Sequence, residues 1–264
     1  TMRTKPDELD EVTVVAFAKQ KKESVIASVS TVKPAELKVP SSNLTTALAG
    51  RVAGLIAYQR SGEPGSDDAS FFVRGVTSFT YARGPLILID GVEMSSSDLA
   101  RLQVDDIASF SIMKDAAATA LYGARGANGV VLVTTKQGKS GKPKVSIGAK
   151  FTLQQVTKKM DMLNSVQLAE LVNEVADNDG VERNPVFAGL NNLSKINTDW
   201  QDEIFRTAPM QNYDISVSGG NDKTTYFISG NLLLQDGIII GSDFGKGSFR
   251  VNLNQQINKW LKAG

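Results

Sequence analysis

From about residue 142 onward, the sequence alternates between apolar side chains and small or polar ones with a period of two. In a β-strand this period places successive side chains on opposite faces. The apolar members of the first run are Val145, Ile147, Ala149, Phe151 and Leu153. The alternation returns at residues 213–217, 226–234 and 249–257. The sequence therefore predicts four strands, each with one apolar and one polar face.

The length and spacing of these runs favour strands that cross a bilayer. A tilted spanning strand needs about 9 to 11 residues, whereas no apolar run approaches the roughly 20 of a spanning helix. Only residues 219–223 separate two of the runs, which indicates a tight hairpin, and the flanking connections are longer. Alternating short and long connections are typical of outer-membrane barrels. A soluble sandwich remains the alternative, because it produces the same alternation.

Four strands leave two open sheet edges, so neither a barrel nor a sandwich is closed by these runs alone. A further strand is predicted to begin near residues 260–264. We therefore expect this chain to be the front portion of a longer fold.

The composition excludes several classes of function. The 264 residues include neither cysteine nor histidine, which excludes disulfide scaffolds, thiol nucleophiles, Ser-His-Asp triads and imidazole or thiolate metal sites. With 29 basic and 28 acidic residues, the formal net charge is +1. Binding to nucleic acid requires a concentrated basic field, so no nucleic-acid partner is expected.

Residues 23–142 mix short apolar runs with glycine turns, as expected for a compact α+β domain. Helices are predicted at 41–56, from leucines and valines at helical spacing, and from Asp115 to Gly123, from a capping carboxylate and a terminal glycine. A capped helix is also predicted near residues 165–175. Strands are predicted at 25–32, 70–74, 86–90, 109–113 and 130–135.

Several motifs suggest chemistry but fit structural roles better. The spacing of Gly123, Gly126 and Gly129 matches neither the G-x-G-x-x-G motif nor a Walker phosphate loop. We therefore interpret these glycines as helix stops and turns that need positive φ, and no nucleotide is expected. The acidic residues near 63–68 and 177–179 lack calcium-ligand spacing and are interpreted as solvated turn charges. Asp105 and Asp106 are adjacent and are not expected to face one cleft, so glycoside hydrolysis is disfavoured. We predict no enzyme activity, no catalytic residue, no cofactor and no metal.

Longer stretches of sequence carry a family resemblance. Residues 114–131, KDAAATALYGARGANGVV, together with PLILIDGV at 85–92 and FVRG at 72–75, resemble the plug domain of the SusC/RagA family of TonB-dependent outer-membrane transporters. LDEVTVVAF at 9–17 is similar to the TonB box of that family, although AFA stands at 16–18 where the family shows a Gly-Tyr-Gly-like sequence. NTDWQDEIFRTAP at 197–209 resembles the early barrel.

The resemblance implies an α+β plug domain followed by the first antiparallel strands of a transmembrane β-barrel, which has about 22 strands in the family. It divides the chain into a TonB-box segment and linker (1–20), the plug (21–142) and the N-terminal portion of the barrel (143–264). It also implies an outer-membrane location in a Gram-negative bacterium, surrounded by lipid, with the plug and N-terminus facing the periplasm.

The implied function is import of an oligosaccharide or other nutrient, with a plug that gates the lumen and a SusD-like lipoprotein as partner. A peptide importer and a soluble periplasmic binding module are the alternatives. An extended β-branched segment can add to the edge of a partner's sheet, which suits binding to TonB, although an edge strand of the domain itself gives the same pattern. The implied TonB-binding residues are Asp10, Glu11, Val12, Thr13, Val14 and Val15, and the implied substrate-binding residues are Arg60, Glu63, Phe79, Tyr81 and Arg83.

Overall fold

The computed structural model describes residues 12–15, 18–21, 29–39, 41–73, 84–114, 120–188, 197–258 and 260–264. The chain divides into two compact units. The first contains the described residues up to Thr152, together with Met210–Gln235 and Asp243–Gly264; the second contains Leu153–Pro209 and Asp236–Ser242. Within the described ranges, every helix is too short or too polar to cross a bilayer.

The N-terminal part of the first unit is the predicted α+β domain. An antiparallel hairpin, β1 (Val12–Val15) with β2 (Ala18–Lys21), is followed by β3 (Val29–Val32), α1 (Leu44–Leu48), β4 (Leu55–Gln59) and β5 (Ala69–Val73). Then come β6 (Leu86–Ile89), β7 (Val92–Glu93), α2 (Ser96–Arg101), β8 (Ile107–Met113) and β9 (Val130–Thr135). Short 3-10 turns span Pro34–Leu37, Val104–Asp106 and Ala120–Gly126.

The domain is organised around a five-stranded sheet of order β3-β8-β9-β6-β7, in which only β6 and β9 pair in parallel. Both faces of this sheet are covered. Val131 and Val133 of β9 pack with Phe110 of β8 in one apolar cluster, whereas Val130 and Leu132 pack in a second. A sheet covered on both faces needs nearly continuous apolar strands, and the sequence VVLVTT of β9 meets that need.

The predicted helix at 41–56 is wrong beyond its first half. Helix α1 ends at Leu48, and Gly50 and Gly54 take φ angles of 70° and 74° that turn the chain. Leu55 then begins β4, which pairs antiparallel with β5. The apolar spacing alone did not distinguish a longer helix from a short helix followed by a strand, and pairing with β5 decides the outcome.

The second predicted helix lies partly outside the described residues, which omit 115–119. From Ala120 to Gly126 the chain forms a 3-10 turn with Gly123 at φ 61°, and Gly129 has φ 93°. Positive φ is thus confirmed at these two glycines. Gly126 is not among the positive-φ residues, so that part of the prediction is wrong.

The alternating region forms the predicted long strands. These are β10 (Gly141–Gln154), β11 (Ala208–Gly220), β12 (Thr224–Asp236), β13 (Asp243–Gln256) and the short β14 (Lys262–Ala263). They pair in sequence order in a second five-stranded sheet, and β11 and β12 are antiparallel across the predicted tight turn. Each long strand has 13 or 14 residues, more than the roughly 9 to 11 that a tilted spanning strand needs.

The two faces of this sheet differ as the alternation predicts. On one face, large apolar side chains are exposed; Phe249 of β13 and Ile147 of β10 each expose 76% of their surface. On the other face of β12, Phe227, Ser229, Asn231, Leu233 and Gln235 are all buried. The polar face is therefore not simply solvated, because much of it is enclosed within the first unit.

The second unit contains α3 (Ser165–Asp179), α4 (Pro185–Ala188) and α5 (Trp200–Ile204). Helix α3 confirms the capped helix predicted near 165–175 and extends it. Its N-cap, Asn164, accepts the N–H of Gln167 at 2.8 Å, and the Gln167 side chain accepts the Asn164 N–H at 3.0 Å. The helix ends at Gly180, which has a left-handed φ of 67°.

Candidate functional site

Four residues of the predicted TonB box form β1, with Val12 opposite Lys21 and Val15 opposite Ala18 of β2. The segment is therefore extended, as β-branched residues favour. The structure pairs it with the next segment of the same chain, which uses one of its two hydrogen-bonding edges. Asp10 and Glu11 lie outside the described residues. The TonB-binding role of this segment stays a prediction.

Two of the predicted substrate-binding residues lie on the exposed loop after β4. The Arg60 guanidinium lies 5.7 Å from the centroid of the Tyr58 ring, and its Nη2 donates to the Tyr58 hydroxyl at 3.3 Å. This hydrogen bond raises the pKa of Arg60 above its ordinary value. The Tyr58 ring also stacks on Phe72, at a centroid distance of 6.0 Å. Arg60 thus lies over the exposed Tyr58 ring, which stacks on the half-buried Phe72.

Glu63 contributes to the same loop through its backbone. Its N–H donates to Ser61 Oγ at 3.0 Å, and its carbonyl accepts the N–H of Ser66 at 3.0 Å. The contacts of Arg60 and Glu63 are thus local to the loop and do not join the two side chains. Phe79, Tyr81 and Arg83 lie outside the described residues, so the proposed cluster of five stays a prediction.

Asp67, which the sequence indicated as a solvated turn charge, is instead a buried anchor, only 7% exposed. Ser42 Oγ lies 2.5 Å and 2.6 Å from its two carboxylate oxygens, and Asn43 Nδ2 also donates to it. Thr46 Oγ1 donates to the Asp67 carbonyl at 2.8 Å. Ser42 and Asn43, which precede α1, and Thr46 within it therefore hold the 60–69 loop. Sequence reasoning missed this because the donors lie over 20 residues away.

Three side chains on the inward face of β13 bond to the α+β domain. Lys246 Nζ donates to the carbonyls of Ser42 and Arg101, at 3.1 Å and 3.3 Å. Arg250 Nε lies 3.4 Å from Asp106 Oδ2, and Asn252 Nδ2 donates to the Lys136 carbonyl at 2.8 Å. We call these three β13 residues and their contacts the β13 seam. They are charged or polar, whereas the neighbouring outward residues of β13 are apolar.

The two adjacent carboxylates of the 3-10 turn at 104–106 point to different strands. Asp105 pairs with Lys38 and, at 3.0 Å, with Lys150 Nζ of β10, whereas Asp106 pairs with Arg250 of β13. Burial by itself raises the pKa of Asp105, but hydrogen bonds from Lys38 and Lys150 outweigh it and hold the pKa below its ordinary value. The expectation that the two acids do not share a cleft is confirmed.

A cavity of about 240 Å³ lies beside β10, β11 and β12, within the first unit. The α+β domain contributes Val39, Gln103 and Asp105 to its lining, and the strands contribute Lys150 and Asn212. The lining combines amides and an ion pair with apolar side chains. Within the described residues, no group of three or more acidic side chains is arranged to hold a metal ion.

An α+β domain held against the polar face of long alternating strands, whose other face is apolar and exposed, defines a plug with the wall of an outer-membrane barrel. A family model described as the TonB-dependent receptor plug domain matches residues 21–130. The chain is 38% identical over 260 residues to TonB-dependent receptor P3 of Formosa agariphila, covering 98% of this chain and 24% of that receptor.

The chain is 34% identical over 254 residues to TonB-dependent receptor SusC of Bacteroides thetaiotaomicron, covering 93% of this chain and 24% of SusC. Among solved structures it is similar to the RagAB peptide importer in its open-open state, with a TM-score of 0.81 and 30% identity over 96% of this chain and 31% of that one. The chain belongs to the TonB-dependent receptors of the SusC/RagA type. It spans about a quarter of the length of the curated relatives it matches.

These comparisons confirm the resemblance and the fold class. The structure is a plug domain followed by the antiparallel strands of a TonB-dependent barrel, and the sandwich alternative is not supported. The relatives carry the names of receptors or transporters rather than of enzymes.

Proposed function

We propose that this chain supplies the plug and first wall strands of an outer-membrane importer that takes up a nutrient in a TonB-dependent manner. The observation that carries the proposal is the pairing of the two sheets: a compact domain is bonded to the polar face of strands whose other face exposes large apolar side chains. That arrangement suits a barrel wall with lipid outside and a blocked lumen inside.

The proposed domain boundaries are those of the resemblance: 1–20 for the TonB-box segment and linker, 21–142 for the plug and 143–264 for the barrel portion. The family match from residue 21 to 130 and the start of β10 at Gly141 support them. The plug and N-terminus face the periplasm in this proposal, so that TonB reaches the box from that side.

TonB pairs with the box by adding a strand to β1. Strand addition uses main-chain hydrogen bonds, which β1 offers along the edge that β2 leaves open. Pulling on such a strand couples work done elsewhere to local unfolding of the plug. Opening of the lumen follows from that local change.

The cargo is an oligosaccharide or, as the likeness to the RagAB peptide importer favours, a peptide. A SusD-like lipoprotein is the proposed surface partner. The proposed cargo contacts are the five residues named from the resemblance: Arg60, Glu63, Phe79, Tyr81 and Arg83. Among them, Arg60 lies over the Tyr58 ring, so that a cation and an exposed aromatic face stand side by side. Such a face suits stacking on a sugar ring or an apolar side chain.

The test is made at the chromosomal locus of the bacterium that carries the gene. Deletion of residues 10–17 is expected to abolish uptake of the cargo and to leave cargo binding at the cell surface intact. A finer pair is Val14→Pro, which removes a main-chain donor from the strand, against Val14→Thr, which keeps it. Unchanged uptake in the deletion strain would refute the coupling to TonB.

A further inference from the structure

The plug is bonded unevenly to the wall strands of this chain. Along the β13 seam, Lys246, Arg250 and Asn252 each reach the plug directly. Lys246 and Asn252 donate to main-chain carbonyls of the plug. Arg250 instead pairs with the Asp106 side chain, and both are largely enclosed, with 27% of Arg250 and 10% of Asp106 exposed. This side of the plug is held by polar contacts at three levels along one strand.

The inward face of β11 and β12 has a different character. In the part of the chain that the structure describes, the Oδ1 atoms of Asp214 and Asn231 and the Oγ of Ser229 are enclosed and have no hydrogen-bond partner from the protein. Asp214 and Asn231 lie directly opposite each other in the strand register. This face therefore leaves enclosed polar atoms without a partner from the described residues, unlike the β13 seam, where the polar side chains bond to the plug.

The cavity beside β10, β11 and β12 borders the same side of the plug. Its wall residues include Asn212, whose Oδ1 accepts from Asn231 Nδ2 at 2.5 Å, so the cavity and the unpartnered polar atoms share a hydrogen-bonded pair. Separating the plug from this face breaks fewer direct polar contacts than separating it from β13, because a cavity already lies between them and water can bond the polar groups that are exposed.

One ionic contact crosses from the plug to the wall at the cavity. Lys150 of β10 pairs with Asp105, which Lys38 of the plug also contacts. Lys38 and Lys150 are 45% and 47% exposed, so the pair is well screened by solvent and weak. When Lys150 moves away, Lys38 remains to balance the charge of Asp105.

We infer that the plug opens on the side of β10, β11 and β12 and stays attached along β13, so that the cavity is the start of the route by which cargo passes. This inference rests on the proposed importer function. The lining favours a chain rich in hydroxyl or amide groups, because the amides of Gln103 and Asn212 offer both donors and acceptors. Oligosaccharides and peptides both meet that description.

The experiment locks each side separately in the full receptor at its native locus. These 264 residues contain no cysteine, and any cysteine elsewhere in the receptor is first replaced by serine, so that the introduced pairs are the only thiols. Val39→Cys with Thr152→Cys spans the cavity, and Lys136→Cys with Asn252→Cys spans the β13 seam. Both pairs are treated with the same thiol-specific linker that contains a reducible disulfide, and linkage is verified by the change in protease fragments.

Linkage across the cavity is expected to abolish uptake, and reduction of the linker is expected to restore it. Linkage across the β13 seam is expected to leave uptake at the level of the unlinked pair. If the β13 link blocks uptake, or if the cavity link leaves it unchanged, the inference is wrong. Cargo binding at the surface serves as the folding control for all four states.

The unlinked variants separate this inference from the function on which it rests. TonB-dependent uptake by both unlinked pairs, followed by the wrong pattern after linkage, overturns only the side of opening. Absence of TonB-dependent uptake in the unmodified receptor overturns the importer itself, and with it the inference.

Discussion

The plug sheet and the sheet of barrel strands differ in what covers their two faces. In β8 and β9 of the plug, apolar side chains on both faces are enclosed, as Phe110 and Val130 illustrate with no exposed surface. In β12 and β13, one face meets the plug through polar groups, and the other exposes residues such as Phe249. The same backbone structure thus has two different surroundings: a packed protein interior in the plug and, in the function we propose, a boundary between lipid and a wet lumen in the wall.

Apolar side chains are therefore stabilised by different surroundings in the two sheets. In the plug, an apolar side chain stabilises by leaving water, at roughly 25 cal/mol per Å². On the outward face of the wall, an apolar side chain is exposed in this chain, and in the proposed barrel it is stabilised by contact with lipid. Substitutions of matched size at the two kinds of position are therefore expected to respond differently to the membrane.

The largest effect is expected in the plug core. Phe110→Ala removes a fully buried ring and leaves a cavity, which costs about 3–5 kcal/mol of unfolding free energy. Denaturant titration of the full receptor, with Ser109→Ala as the control on the neighbouring, partly exposed residue, measures it. The same loss of unfolding free energy is expected in detergent and in bilayers. A loss that changed with the lipid would contradict the assignment of Phe110 to a protein interior.

The next effect tests the outward face. Phe249→Arg places a charge where we propose lipid, at a cost of about 2–4 kcal/mol near the bilayer midplane. The neighbouring Arg250 faces the plug, so the two adjacent positions differ only in the face they occupy. Folding into vesicles, compared with Phe249→Leu, provides the measurement. If the arginine variant folds into bilayers as well as the leucine variant, the lipid-facing assignment of this face is wrong.

A smaller effect is expected at the buried anchor of the 60–69 loop. Asp67→Ala leaves the donors of Ser42 and Asn43 without their acceptor, which costs about 1–3 kcal/mol. Asp68→Ala, at the exposed neighbour, is the control and is expected to have little effect. Equal losses at the two positions would show that the enclosed hydrogen bonds of Asp67 do not stabilise the plug.

The smallest effect concerns Asp105 and its dependence on pH. Its pKa is lowered in the folded state, so its ion pairs stabilise the plug above the ordinary carboxyl pKa and lose that effect as pH falls through the folded value. Because both lysines are nearly half exposed, the contribution is about 0–1 kcal/mol. A double-mutant cycle of Asp105→Asn with Lys150→Gln, measured at neutral and acidic pH, isolates it. Coupling that grows under acid would contradict the assignment.

Much of the fold was predictable from local pattern. The strands β6, β8 and β9 and the four long wall strands follow from runs that alternate or are continuously apolar, and α3 follows from its caps. The helix predicted at 41–56 failed at Leu55, because pairing between β4 and β5 depends on residues that are distant in sequence. Of the predicted site, the extended conformation of Val12–Val15 is the part that the structure shows.

The amino-acid sequence was enough to identify the apolar faces of the long strands, most of the strands and the family that the chain resembles, because side-chain alternation and glycine turns act over a few residues. The tertiary structure was needed to show that Asp67 is buried, that Asp105 and Asp106 pair with different strands, and that the plug bonds directly to β13 whereas polar atoms on β11 and β12 are enclosed without a partner in the described part of the chain. Sequence alone did not reveal these contacts because charges and hydrogen-bond donors act on groups within a few ångströms, whatever the distance along the chain. Their partners are chosen by how the strands are arranged in space, not by their order in the chain.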